Sequence, residues 1–159
     1  MTKSAHRNRG GMTLVEILIT VSIIGLLAAF IIPAYIVAAQ HRENALVASH
    51  LRTALTAFAL YRSETGAYPP NSSRGKIPPA MAGYFADLQI TQWWTNATEL
   101  GGKWDWDNDS GNKFKYRVTI ADATKTGQMA ALDKLVDDGN LATGKFRLQD
   151  SEYCYSLDE

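Results

Sequence analysis

A single cysteine, Cys154, stands in the 159 residues, so no disulfide can close within the chain and thiolate metal clusters are excluded. Its setting, EYCYSL, reads as a strand in which a small residue packs, and nothing nearby supplies the low pKa of a reactive thiol. Histidine is scarce too: His6, His41 and His50 lack metal-ligand spacing. No Ser-His-Asp or Cys-His set offers a nucleophile, so a non-enzymatic chain is expected. Acid is missing from residues 1–11, which carry Lys3, Arg7 and Arg9. The rest holds 13 basic and 16 acidic residues, and a mildly acidic body gives no electrostatic case for a nucleic-acid partner. No internal repeat is evident.

What the chain has instead is a long apolar run. Ile17 to Ala39 is 23 residues without a formal charge. As a helix it measures about 34 Å, enough for a bilayer core of about 30 Å. The basic leader places the N-terminus in the cytoplasm and the body across the membrane. A cleaved secretory signal would use Val37-Ala38-Ala39 before Gln40, although its apolar core would normally be much shorter. A plain signal anchor accounts for length and orientation but not for Gly10-Gly11 or Glu16. A cut between Gly11 and Met12 accounts for both. The glycines leave an open backbone at the scissile bond. The cut removes the basic leader and creates an amine on Met12, four residues from Glu16 on one helix face. A carboxylate in hydrocarbon costs an estimated few kcal/mol, about 3 on the lenient insertion scales. The amine of a neighbouring identical helix would neutralise it and set the register; pairing within one chain is the alternative.

The stretch Gly11-Met12-Thr13-Leu14-Val15-Glu16, followed by the apolar run through Gly25 to Pro33-Ala34-Tyr35, resembles the type IV pilin superfamily, the pilins and the pseudopilins of type II secretion. Met12 departs from the phenylalanine most often found there. The resemblance, close over residues 10–40, implies cleavage after Gly11 by a prepilin peptidase, N-methylation of Met12, and assembly with other pilin or pseudopilin subunits on an inner-membrane platform. It implies a single-pass bacterial inner-membrane protein with a periplasmic head. Gly25 and Pro33 mark a stretch able to bend or partly melt, through the weak propensity of one and the missing N–H of the other; a simple kink is the alternative.

The organisation expected is a cleaved leader (1–11), a membrane and filament-core helix (12–39), an amphipathic continuation (40–63) and a globular head (64–159). Val47, Leu51, Leu55, Phe58 and Tyr61 follow helical spacing, and SETGAYPP stops the helix. Residues 64–80 read as a turn-rich loop and 79–88 as a short helix. KWDWD (103–107) and KFKYRVTI (113–120) alternate as a hairpin, GQMAALDKLV (127–136) is a short helix, and KFRLQ and EYCYSL are final strands. The fold class is α+β, a long helix packed on a small antiparallel sheet. YRSETGAYPP and GGKWDWD resemble major pseudopilins, and the lack of a cysteine pair departs from many major pilins. Both favour type II secretion over a pilus or DNA-uptake filament.

Two further features admit two readings each. Asp105, Asp107 and Asp109 alternate as in the opening of a calcium loop, but Ser110 and Tyr116 stand where the full pattern needs Gly and Glu. They are a structural calcium site or a solvated hairpin tip. Trp93, Trp94, Trp104 and Trp106 are a ligand platform, as in a membrane-tethered binding module, or sheet core.

Overall fold

The structure, a computed structural model, describes residues 12–109, 111 and 114–158. Helix α1 runs Leu14–Thr65. The chain divides into two compact units, one ending at Ala39 and the other beginning at Gln40.

In the second unit α1 buries one stripe: Asn44, Val47, Ala48, Leu51, Ala54, Ala57 and Phe58. Spacings of three and four put them on one face. Leu55 and Tyr61, expected with them, are half-buried beside this face. The helix ends as its sequence requires, with Gly66 at φ +79° donating its N–H to Arg62 O at 2.8 Å.

Two short helices follow, α2 (Ala82–Asp87) and α3 (Thr91–Trp94). Strands β1 (Lys103–Asn108) and β2 (Tyr116–Ala121) pair antiparallel, with Trp104 opposite Ile120 and Trp106 opposite Val118. A 3-10 turn (Thr126–Gln128) leads into α4 (Met129–Val136). Strands β3 (Phe146–Gln149) and β4 (Glu152–Ser156) close the sheet, in the antiparallel order β1-β2-β4-β3. Asp150 and Ser151 join β3 to β4 at φ +50° and +68°, the primed two-residue turn that suits strand twist. Gly102 allows a close backbone approach, because a Cβ there would stand 2.1 Å from Ala121 O.

Phe58 of α1 stacks on Trp106 of β1, ring centroids 3.9 Å apart at 15°. Trp94 stacks on Trp104 at 5.9 Å, and Phe85 meets Trp94 edge-on at 5.0 Å. Trp94, Trp104 and Trp106 have no exposed surface. Two of these indoles find acceptors: Trp106 Nε1 donates to Pro69 O at 3.1 Å and Trp94 Nε1 to Lys76 O at 2.8 Å. These tryptophans are sheet core, which corrects the platform reading. Trp93 alone of the four is half-buried, stacked on His50 at 4.3 Å.

Residues 64–80 do more than turn. Ser72 N–H donates to Trp106 O and Gly75 N–H to Trp104 O, at 3.2 and 2.7 Å, so this loop covers the outer edge of β1. Arg74 fastens it down, binding Asp122 at 2.7 Å and pairing with Glu152.

Candidate assembly site

Met12–Ala39 includes no buried residue. Leu14, Leu18, Ile24, Phe30 and Tyr35 all stand open, and α1 is long and apolar enough to cross a membrane. An apolar surface of this kind requires lipid or other helices.

Polar groups in this stretch are satisfied locally. Thr20 Oγ1 donates to Ile17 O at 2.8 Å and Ser22 Oγ to Leu18 O at 2.7 Å. Helix α1 continues through Gly25 and Pro33 without interruption, although Pro33 cannot donate to Ala29 O. A Cβ at Gly25 would meet nothing within 4 Å, so the chain's own packing does not require the glycine.

Glu16 has a definite local partner. Thr13 precedes the first helical residue, and its backbone N–H and hydroxyl both donate to Glu16 Oε2, at 2.8 and 2.9 Å. Glu16 N–H returns a bond to Thr13 Oγ1 at 3.3 Å. This is a capping box, in which residues at N-cap and N3 satisfy each other's free N–H groups. The T-x-x-E spacing announces it, and reasoning that looked only at Met12 and Glu16 missed it. Both of these bonds fall on Oε2; Oε1 accepts none from the described residues. Met12 is exposed beside the box, while Gly11 lies outside the described residues.

A model of the prokaryotic N-terminal methylation motif matches residues 6–32. The chain is also 33% identical, over 67 residues, to the type IV wide pilus major component PilA4 of Thermus thermophilus. Both similarities are to proteins of the type IV pilin kind. The match takes in 42% of this pilin-like chain and 51% of the relative, so the chain spans about half the length of the protein it resembles. No solved structure matches it.

The acids of the hairpin are arranged otherwise than a calcium loop. Asp105 and Asp107 share a face of β1, as alternation dictates, but each turns to a cation of the protein. Asp107 Oδ2 lies 3.1 Å from Arg117 Nε and accepts Thr119 Oγ1 at 2.8 Å. Asp105 Oδ2 is 3.9 Å from Arg74 Nε, and its Oδ1 accepts the Trp106 N–H at 2.9 Å. Burial, then the charge of Asp107, pushes Asp105 up to about 7. Asp109 Oδ1 accepts the Gly111 N–H at 2.9 Å, a turn contact. Cys154 is buried in β4, and burial pushes its thiol up to about 11, the state of an inert cysteine.

Proposed function

We propose that this chain is a non-enzymatic structural subunit, cut between Gly11 and Met12 by a prepilin peptidase, N-methylated on Met12, and assembled from the bacterial inner membrane into a helix-cored filament. One observation carries the reading: a carboxylate at the third position of α1, at the head of an apolar stretch with no buried residue, held by Thr13 through one oxygen while the other accepts nothing from the described residues. The Met12 amine of an adjacent subunit is the partner that Oε1 suits. The leader stays cytoplasmic and the head stands in the periplasm, with an inner-membrane platform driving assembly. Gly25 and Pro33 are the positions where α1 would loosen as helices pack. Mass spectrometry of the membrane form tests this, and a methylated Met12 is the result expected. A mature N-terminus at Met1 or Gln40 sinks the proposal.

Two destinations fit such a subunit. A pilus is favoured by the similarity to a wide pilus major component. A type II secretion pseudopilus is favoured by the lone buried Cys154, which leaves the head without a disulfide. Deleting the chain separates them: loss of surface fibres marks the first, loss of exported protein with fibres intact the second.

A further inference from the structure

His50 of α1 and Glu99 of the connection between α3 and β1 face each other without touching. The imidazole Nδ1 lies 3.9 Å from Glu99 Oε2, too far for a hydrogen bond. Both atoms are buried, and neither has a hydrogen-bond partner. The imidazole lies flat on Trp93, ring centroids 4.3 Å apart and planes 5° apart. Burial holds His50 below the ordinary histidine value of 6.5, and the Glu99 charge partly offsets that. Among the described residues Glu99 is the charge that acts on this ring, and α3 brings only the uncharged Trp93 against it.

The backbone around Glu99 is fixed on both sides. Thr98 N–H donates to Gly102 O and Gly101 N–H to Thr98 O, each at 3.0 Å. Leu100 is wholly buried, and its carbonyl accepts Thr124 N–H and Lys125 N–H at 3.2 and 2.9 Å. Lys125 Nζ in turn pairs with Glu43 Oε1 of α1 at 2.7 Å. The Glu99 side chain is therefore the part free to answer a change at His50. An approach of about 1 Å brings its carboxylate within hydrogen-bond range.

We propose that His50, Glu99 and Trp93 form a proton-operated latch: on acidification Glu99 closes onto His50 Nδ1 and the charged ring stays stacked on Trp93, keeping α1 joined to the α3–β1 connection. The neutral ring needs no counter-charge, which suits the open distance. The imidazolium carries a proton on both nitrogens and, left alone in this setting, would have to leave Trp93 for water. Two attractions retain it: a charge-assisted bond to Glu99 and the pull of the indole face on a cation. Carboxylates ordinarily remain ionised across the range in which histidine titrates, so the acceptor is ready when the proton arrives. The latch belongs to the head and does not depend on the filament reading.

The test uses the full chain in detergent. Nuclear magnetic resonance follows the Hε1–Cε1 signals of the three histidines between about pH 4 and 8, and His50→Gln assigns the signal that disappears. The His50 signal should titrate below 6.5, and Glu99→Gln should move its midpoint to lower pH. Thermal melts read the latch itself. Glu99→Gln should lower Tm more below the measured His50 midpoint than at about pH 8, and that extra acid loss should vanish in the Glu99→Gln/His50→Gln protein. Should Glu99→Gln fail to fold, Glu99→Asp, which withdraws the carboxylate by one methylene, should shift the midpoint the same way. A His50 ring that stays neutral throughout, or a midpoint that the Glu99 variants leave unmoved, overturns the proposal. So does a Glu99→Gln loss of equal size at both pH values, or an acid loss that persists when His50 is absent.

Discussion

Thr13 and Glu16 satisfy each other at the start of α1, through Thr13 N–H to Glu16 Oε2 at 2.8 Å and Glu16 N–H to Thr13 Oγ1 at 3.3 Å. The glutamate therefore has a duty within its own chain before it meets any neighbour. That separates two effects that a single alanine substitution would merge.

Glu16→Gln keeps an acceptor for the Thr13 N–H and removes the charge. Such subunits should insert and be processed normally, then give a weakened cross-linking ladder. The deficit should reflect a desolvated ion pair with one partner left unmatched, about 3–5 kcal/mol. Thr13→Ala keeps the charge and removes the cap, a loss of about 1 kcal/mol of helix start. Its ladder should stay close to wild type. Equal ladders from Glu16→Gln and wild type would leave Glu16 as a cap alone.

The Phe58–Trp106 stack is the joint between helix and sheet. Phe58→Ala should lower head stability by about 3–5 kcal/mol, as large-to-small changes of buried aromatics do. Trp93→Ala removes a half-buried ring and should lower it less. Urea unfolding followed by tryptophan fluorescence measures both, and a Trp93 deficit larger than that of Phe58 would refute this assignment of the core.

Asp105 gives the head a pH dependence of defined sign. Its folded pKa, about 7, lies above the ordinary carboxylate value of 3.8, so between those limits the folded state binds more protons than the unfolded state. Its contribution therefore falls as pH rises from about 4 to about 7 and is level above, an upper limit of about 4 kcal/mol at 1.36 kcal/mol per unit. Asp133, raised mainly by burial, adds a slope of the same sign. Asp105→Asn keeps the acceptor for Trp106 N–H and should flatten the curve, with its largest gain in stability near pH 8. Denaturation midpoints between pH 4 and 8 report it; an unchanged slope would mean that Arg74 already holds the carboxylate ionised.

Patterns confined to one element were legible before the structure. The stripe from Val47 to Phe58, the alternation on either side of the NDSGN turn and the stop at Gly66 each follow from a period or a turn residue that local sterics enforce. Features that depend on distant segments were not. Helix α3 is one turn of TQWW, too short to show a period. The placing of β4 between β2 and β3 rests on which strand reaches the vacant edge, and no local pattern encodes it. Asp105, Asp107 and Asp109 admitted two readings, a ligand set or a solvated hairpin tip, because alternation is visible in the sequence while the approach of Arg74 and Arg117 is not. Asp133 passed unnoticed, since one acid on an amphipathic helix carries no sign of complete burial.

Both margins of the sheet are occupied. Ser72 and Gly75 donate to Trp106 and Trp104 along β1, and Leu148 N–H of β3 donates to Leu141 O at 3.0 Å. A strand from another molecule would have to strip one of these segments away before it could dock. Were heads to crowd side by side, as the proposed filament requires, they would thus be guarded against growing into a shared cross-β ribbon.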